Sequence, residues 1–371
     1  MKIAFDAKRA LNNSSGLGNY SRNLLNALMQ NFSNEEYFLL SPKVKDELFH
    51  QLTGEFKIIF PETKLQKSVH PLWRSFGIKN QVLKNGIDIY HGLSSEIPFG
   101  MAPLHTRTIV TIHDLIFLKH VEQYPFTDRK IYELKTKYAA KHAHKIIAIS
   151  NETKQDLVEL LGVKEDKIEV IYPLVSPAFQ TEAVTDIQKY KLPRKYILNA
   201  GSFFPRKNQK TLIEAFDLIK HEIEEDLVLV GGAGNMKEEL MALIAEKKLN
   251  ARVSIISNAA NEDMPAIYSG ASVFVWPSLY EGFGMPIVEA LFSQVPVITT
   301  KGGCFEEAGG KNSLYINPLS AEEIAATIKQ SLNNNADKQK RVQAGLEHAQ
   351  TMSQHRIAEL TMRLYREQTG K

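Results

Sequence analysis

Short runs of successive apolar residues recur along the chain. They are KIAFDA from residue 2, EYFLL from 36, FKIIF from 56, DIYHG from 88, TIVTIHD from 108, KIIAIS from 145 and IEVIY from 168. Apolar residues at consecutive positions mark strands buried on both faces. Between several of them the period changes to that of an amphipathic helix, as in YSRNLLNALMQNF and DLVELLG. Strand, helix and strand in this alternation predict a parallel sheet with helices on both faces.

The alternation stops at PLVSPAFQTEAVTDIQKYKLPRK, residues 173 to 195, which is weakly periodic and reads as a linker. It restarts with KYILNAG, DLVLVGG, RVSII, SVFVWP, VPVITT and SLYIN. The fold class expected is therefore α/β, with two doubly wound, Rossmann-like halves. Residues 1–175 form the first domain and 190–353 the second. The final helix, about 354–371, has a pattern that suits either half. Ligands of such sheets sit at the carboxyl ends of the strands, and a cleft between two facing sheets is the expected site.

Length agrees with two domains, since 371 residues exceed one ordinary core. A hydrophobic content of 43% and a charged content of 23% describe a soluble globular protein. A formal charge of +3 gives no case for nucleic acid as a partner. The lone cysteine, Cys304, excludes an internal disulfide framework. Asp6, Lys8 and Arg9 interrupt the first apolar stretch, so no secretion signal is read, and a cytoplasmic protein is expected. The basic stretch from Arg129 to Lys145 suits either a solvated helix face or peripheral contact with an anionic membrane.

Three segments carry candidate chemistry. RALNNSSGLGNYSRNLL follows the first strand, and Gly16 and Gly18 there would let backbone N–H groups approach an anion. A dinucleotide site would want an acid about 20 residues on, and the second strand ends YFLLSPK without one. A phosphate or sugar contact and an unliganded loop remain as readings. Next, Arg206 and Lys207 stand between a strand and a helix, where cations oppose the helix dipole unless an anionic ligand is bound. Asn208 is the expected cap. Gly232, after the following strand, brings bare backbone to the same edge.

The third segment is SLYEGFGMPIVEAL, residues 278 to 291. Glu289, expected in the first turn of a helix starting at Pro286, could merely offset that helix's dipole. Glu281, in the turn beside Gly282, Phe283 and Gly284, is less easily explained that way. A carboxylate is an acceptor pair suited to vicinal hydroxyls, and the N–H groups of Phe283, Gly284 and Met285 would take further hydroxyls. Diol-holding acids together with phosphate-holding cations imply a nucleotide sugar.

These segments resemble a known family. EGFGMPIVEA is similar to the E-x7-E signature of retaining glycosyltransferases of family 4, GSFFPRKN resembles their phosphate-binding turn, and GLGNYSRNLL resembles their glycine loop. TIHDL and AISNETKQDL also match in position. The resemblance spans nearly the whole chain and is closest to the mannosyltransferase-like branch. It implies the GT-B fold, with the donor mostly on the second domain, the acceptor on the first, and the last helix crossing back to the first. It implies that Glu289 holds the ribose, that Glu281 lies near the donor sugar, that Lys207 and Arg206 carry the diphosphate, and that Gly16 and Gly18 close on the phosphate. Hexosyl transfer with retention is implied, GDP-mannose being the favoured donor and a glycan or lipid-linked glycan the acceptor.

Departures are visible. Ser202 stands where many members have arginine, LFSQVP replaces a glycine turn, and GLSSEIP lacks a histidine that some members carry. His113 in TIHDL is then the candidate polar group near the sugar, the alternative being a satisfied core histidine. No D-x-D pair occurs, so neither a metal nor a cofactor beyond the donor is expected, and Arg206 and Lys207 would stabilise the leaving group. A sugar-nucleotide epimerase, or a protein that binds a nucleotide sugar without chemistry, is the competing expectation.

Overall fold

A computed structural model of the chain describes residues 1–101, 105–180, 186–232, 234–257, 259–333 and 335–371. Residues 181–185 of the expected linker lie outside the described residues. The chain divides into two compact units, Met1–Leu174 with Met352–Lys371, and Val175–Thr351.

Among its described residues the first unit holds seven strands: β1 (Lys2–Asp6), β2 (Glu36–Leu40), β3 (Lys57–Ile59), β4 (Ile89–Gly92), β5 (Arg107–Ile112), β6 (Lys145–Ala148) and β7 (Ile168–Val170). Their spatial order is β3-β2-β1-β4-β5-β6-β7, and every pairing is parallel. Each strand coincides with an apolar run named above. The helix Gly16–Asn31 buries Leu24, Leu25 and Leu28 against Ile3 and Phe5 of β1. The C-terminal helix Gln354–Thr369 buries Ile357, Met362, Leu364 and Tyr365 in that same core. Each large apolar side chain so buried stabilises the fold by about 1.5–3 kcal/mol before chain entropy is subtracted.

The second unit holds β8 (Tyr196–Ala200), β9 (Asp226–Val230), β10 (Val253–Ile256), β11 (Val273–Trp276), β12 (Val297–Thr300) and β13 (Leu314–Ile316). Their order is β10-β9-β8-β11-β12-β13, again all parallel. Its core joins Ile197, Leu227, Val273, Val275 and Ile298 to Leu212 and Phe216 of the helix Gln209–Ile219.

Both sheets are doubly wound. The strand order reverses between β1 and β4 in one and between β8 and β11 in the other. Crossovers leave toward opposite faces at such a point, opening a crevice beyond the carboxyl ends of the two strands. The segments after β8 and β11 are the ones that carry Arg206, Lys207 and Glu281.

Candidate functional site

In the second unit, β8 leads through a short 3-10 turn, Pro205–Lys207, into the helix Gln209–Ile219. The neighbouring β11 ends at Trp276, and the following loop passes over that turn. The N–H of Leu279 donates to the carbonyl of Arg206 at 2.8 Å, which ties loop to turn. Three charged side chains meet there. Arg206 Nη1 donates to Glu281 Oε2 at 2.6 Å, and Lys207 Nζ donates to Glu281 Oε1. The hydroxyl of Ser278 lies 2.8 Å from Oε1 of Glu281.

Lys207 is nearly buried, 7% exposed, and its ammonium lies 4.6 Å from the centroid of the Trp276 ring. Burial pulls the Lys207 ammonium below its ordinary pKa, and Glu281 pushes it back. Burial also works to raise the Glu281 carboxyl. The charges of Lys207 and Arg206 outweigh it and hold Glu281 below the usual carboxylate range. Two cations against one carboxylate leave this cluster with one net positive charge.

Asn208 stands at the N-cap position with φ 57°, yet its side chain makes no cap hydrogen bond. Its amide instead donates to the carbonyls of Pro277 at 3.1 Å and Pro318 at 2.7 Å, pinning the loop after β11. That corrects the expected cap: here the amide serves the loop.

The helix after Glu281 runs Met285–Phe292, with Gly284 at its N-cap position. Gly284 has φ 118°, a backbone that side-chain-bearing residues rarely adopt. Gly282 and Met285 are partly exposed, whereas Phe283 is buried at 3%. Glu289 sits in the second turn, not the first, so dipole compensation fails as its explanation. Tyr268 donates its hydroxyl hydrogen to Glu289 Oε2 at 2.9 Å. Burial raises the Glu289 carboxyl to about 7, against the lowering effect of that hydrogen bond. Gly232 is exposed just past the end of β9.

In the first unit, Gly16 and Gly18 do not form an open loop. They are the first turn of the helix Gly16–Asn31. A side chain at Gly18 would place its Cβ 1.8 Å from the carbonyl oxygen of Asn13, so glycine there permits a close backbone crossing. Gly16 has open space around it.

His113 follows β5, half-buried, and its Nε2–H donates to the carbonyl of Leu93 at 2.9 Å. Burial lowers its pKa to about 4, so the ring is neutral and Nδ1 is left as an acceptor. The ring of Tyr20 meets it edge-on, with centroids 4.6 Å apart and planes at 89°. The GLSSEIP loop supplies a carboxylate instead of a histidine. Glu96 pairs with Arg74, and with Lys135 at 2.6 Å, while Arg74 also reaches Asp6 at 2.5 Å.

The structure thus gathers Arg206, Lys207 and Glu281 into one cluster and places Glu289 on the helix behind it. Sequence reasoning missed Trp276, Ser278 and Tyr268. Ser278 and Trp276 flank the signature and could have been suspected from that; Tyr268 comes from another helix and left no trace in the pattern. Among the described residues, no three His, Cys, Asp or Glu side chains converge to hold a metal ion, and no helix is long and apolar enough to cross a membrane.

Residues 14–179 match the family model described as Glycosyltransferase Family 4, and residues 182–348 match Glycosyl transferases group 1. The chain is 29% identical over 286 residues to an O-antigen chain mannosyltransferase B of Escherichia coli, covering 75% of this chain and 74% of that one. It is 25% identical to the O-antigen chain mannosyltransferase RfbU of Salmonella typhimurium, covering 61% of each. The solved sucrose-phosphate synthase of Thermosynechococcus elongatus superposes with a TM-score of 0.77 at 22% identity, covering 99% of this chain and 98% of that one. An Anabaena protein, HepE, in complex with UDP-glucose gives 0.75 at 18% identity, covering 99% and 100%. These structural likenesses establish the fold, which is GT-B.

Proposed function

The chain belongs to the group 1 glycosyltransferases, with a family 4 amino-terminal half, and we propose that it moves a mannosyl group, with retention, from GDP-mannose to a glycan hydroxyl. The observation that carries this reading is the seating of Glu281 between Arg206 and Lys207 at the β8/β11 switch point, with Glu289 eight residues further on. Mannosyl transfer is supported by the two O-antigen mannosyltransferases among its relatives. Polysaccharide or cell-surface glycan synthesis is the setting they suggest.

In this proposal the ribose diol hydrogen-bonds to Glu289, and the diphosphate takes the charge of Arg206 and Lys207. Glu281, released in part from those cations, accepts from hydroxyls of the donor sugar. The backbone around Gly282, Phe283, Gly284 and Met285 supplies donors to further hydroxyls, and Gly232 lets a ligand approach the end of β9. Within the first unit taken by itself, Nδ1 of His113 is an acceptor suited to a sugar hydroxyl, and Gly16 has open space around it. In the transfer step the bond between anomeric carbon and phosphate oxygen breaks. The acceptor oxygen bonds to that carbon on the face the phosphate leaves, and its proton passes to a phosphate oxygen. The growing charge on the nucleoside diphosphate is met by Lys207 and Arg206, so neither a metal nor a further cofactor forms part of the scheme.

The test is thermal stabilisation by nucleotides and nucleotide sugars without metal, for the wild type and Glu289→Ala, since a ligand bound to the folded state must raise Tm. A rise with GDP or GDP-mannose that is lost in the variant, followed by mannosyl transfer, is the expected result. No rise with any nucleoside diphosphate would overturn the donor assignment.

Peripheral membrane contact belongs to the same proposal, because a lipid-linked glycan is one acceptor it allows. On the helix Phe126–His142, Lys130, Leu134, Lys137 and Lys141 recur three or four residues apart, and Ile131 stands three before Leu134 on the same side. Ile131 is 51% and Leu134 64% exposed. Binding to anionic vesicles that fades with moderate salt is expected; no binding at low salt would end this part.

A further inference from the structure

A line of hydrogen bonds in the first unit ends beside His113. The hydroxyl of Tyr365, on the C-terminal helix, lies 2.6 Å from Nδ1 of His91 on β4. Nε2 of His91 lies 2.8 Å from the hydroxyl of Thr111 on β5. That hydroxyl lies 3.2 Å from the hydroxyl of Tyr20. Tyr365, His91 and Thr111 are all fully buried. Tyr20 lies in the helix that opens with Gly16 and Gly18, and its ring meets His113 at right angles.

One hydrogen bond from Nε2 to Leu93 fixes an atom of the His113 ring but leaves its tilt about that bond open. The perpendicular ring of Tyr20 closes that freedom. Tyr20 can do so only if it is itself held, and its hydroxyl is held by Thr111. Thr111 in turn bonds a histidine that burial keeps neutral, with its pKa lowered to about 3. A neutral imidazole donates at one nitrogen and accepts at the other, so both bonds of His91 must be made together. With Nδ1 protonated, Thr111 must donate to Nε2, and Tyr20 must then donate to Thr111. Buried polar groups without an alternative partner make such a chain stiff.

We propose that Tyr20 is a positioning residue for His113, held in place from the C-terminal helix through Thr111, His91 and Tyr365. The effect on transfer rests on the function proposed above; the effect on the His113 ring does not. Because the chain acts as one unit, cutting it anywhere has the same consequence.

The experiment uses the full chain labelled with ¹⁵N at histidine, as wild type, Tyr20→Phe, Tyr365→Phe and the double variant. Tyr20→Phe keeps the ring and removes only the hydroxyl of a half-buried residue, so it serves if Tyr365→Phe fails to fold. In each variant the ring signals of His113 are expected to shift and broaden as its tilt is freed, while Nε2 keeps its proton on Leu93. Turnover of the donor is expected to fall about tenfold in kcat with little change in KM, as for a misplaced transition-state contact. The double variant is expected to be no worse than either single one. His113 ring signals unchanged in both single variants would overturn the proposal, and so would losses in kcat that multiply. If no nucleotide sugar supports transfer in the wild type, the functional proposal fails, and the His113 ring signals still decide this one.

Discussion

The ammonium of Lys207 rests over the face of Trp276, 4.6 Å from its centroid, while the same nitrogen donates to Glu281. The last residue of a central strand is therefore the floor beneath a nearly buried cation. Aromatic faces attract cations, tryptophan most strongly, by about 0.5–2 kcal/mol depending on desolvation. The indole Nε1 has no hydrogen-bond partner among the described residues, so replacing the ring removes an unsatisfied donor as well. Trp276→Phe is expected to change stability little and to weaken binding of a nucleoside diphosphate several-fold. Calorimetric titration beside denaturant unfolding checks both; unchanged affinity would remove Trp276 from the account of Lys207.

Glu281 makes opposite predictions for binding and for turnover. Removing one partner of a buried ion pair costs about 3–5 kcal/mol, because the other charge is left behind. Glu281→Gln is therefore expected to lower stability by a few kcal/mol. It also frees Arg206 and Lys207, so a nucleoside diphosphate should bind at least as tightly as to the wild type and restore much of the lost Tm. Loss of the sugar contact should lower kcat by about ten- to a hundredfold. A variant that bound the diphosphate more weakly would show that the carboxylate assists the phosphate site.

The thirteen strands of the described residues were legible because burial on both faces writes itself as consecutive apolar residues. The E-x7-E spacing and the basic turn were legible because each is local. Their union was not. Arg206 and Glu281 are 75 residues apart and meet only because β11 inserts beside β8 in the sheet. The pairing of Tyr268 with Glu289 and of Tyr365 with His91 likewise depends on tertiary packing, which residue spacing does not encode. The glycines are ambiguous for a related reason. A close backbone crossing, as at Gly18, and a close ligand approach demand the same missing side chain.

Glu289 sets a pH dependence with two signs. Its folded pKa is about 7, above the ordinary carboxyl value of 4.5. Between those values the unfolded chain has lost the proton and the folded one retains it. Stability from this group is therefore greatest below about pH 4.5 and is lost as pH rises toward 7. Donor binding runs the other way, because a diol needs the carboxylate as acceptor. Affinity for a nucleotide sugar is expected to rise through pH 7 and level off above it. His113, already neutral above about pH 4, adds no inflection in that range. Glu289→Gln should flatten the profile between pH 5 and 8; a surviving step near pH 7 would assign it to another group.

Tyr268 supplies the sharper form of the same test. Its hydroxyl donates to Glu289 at 2.9 Å, and that bond favours the ionised carboxylate against the burial that raises its pKa. Tyr268→Phe keeps the ring, with its contacts to Phe179 and Phe274, and deletes only the donor. The carboxyl should then titrate higher still, moving the midpoint of donor binding upward in pH. At pH 9 the variant and the wild type should differ least, because both carboxyls are then largely ionised. At pH 6.5 they should differ most. Isothermal titrations at those two pH values decide it. A midpoint that stays in place would mean that burial alone sets the Glu289 carboxyl; one that falls would mean that Tyr268 stabilises the protonated form instead.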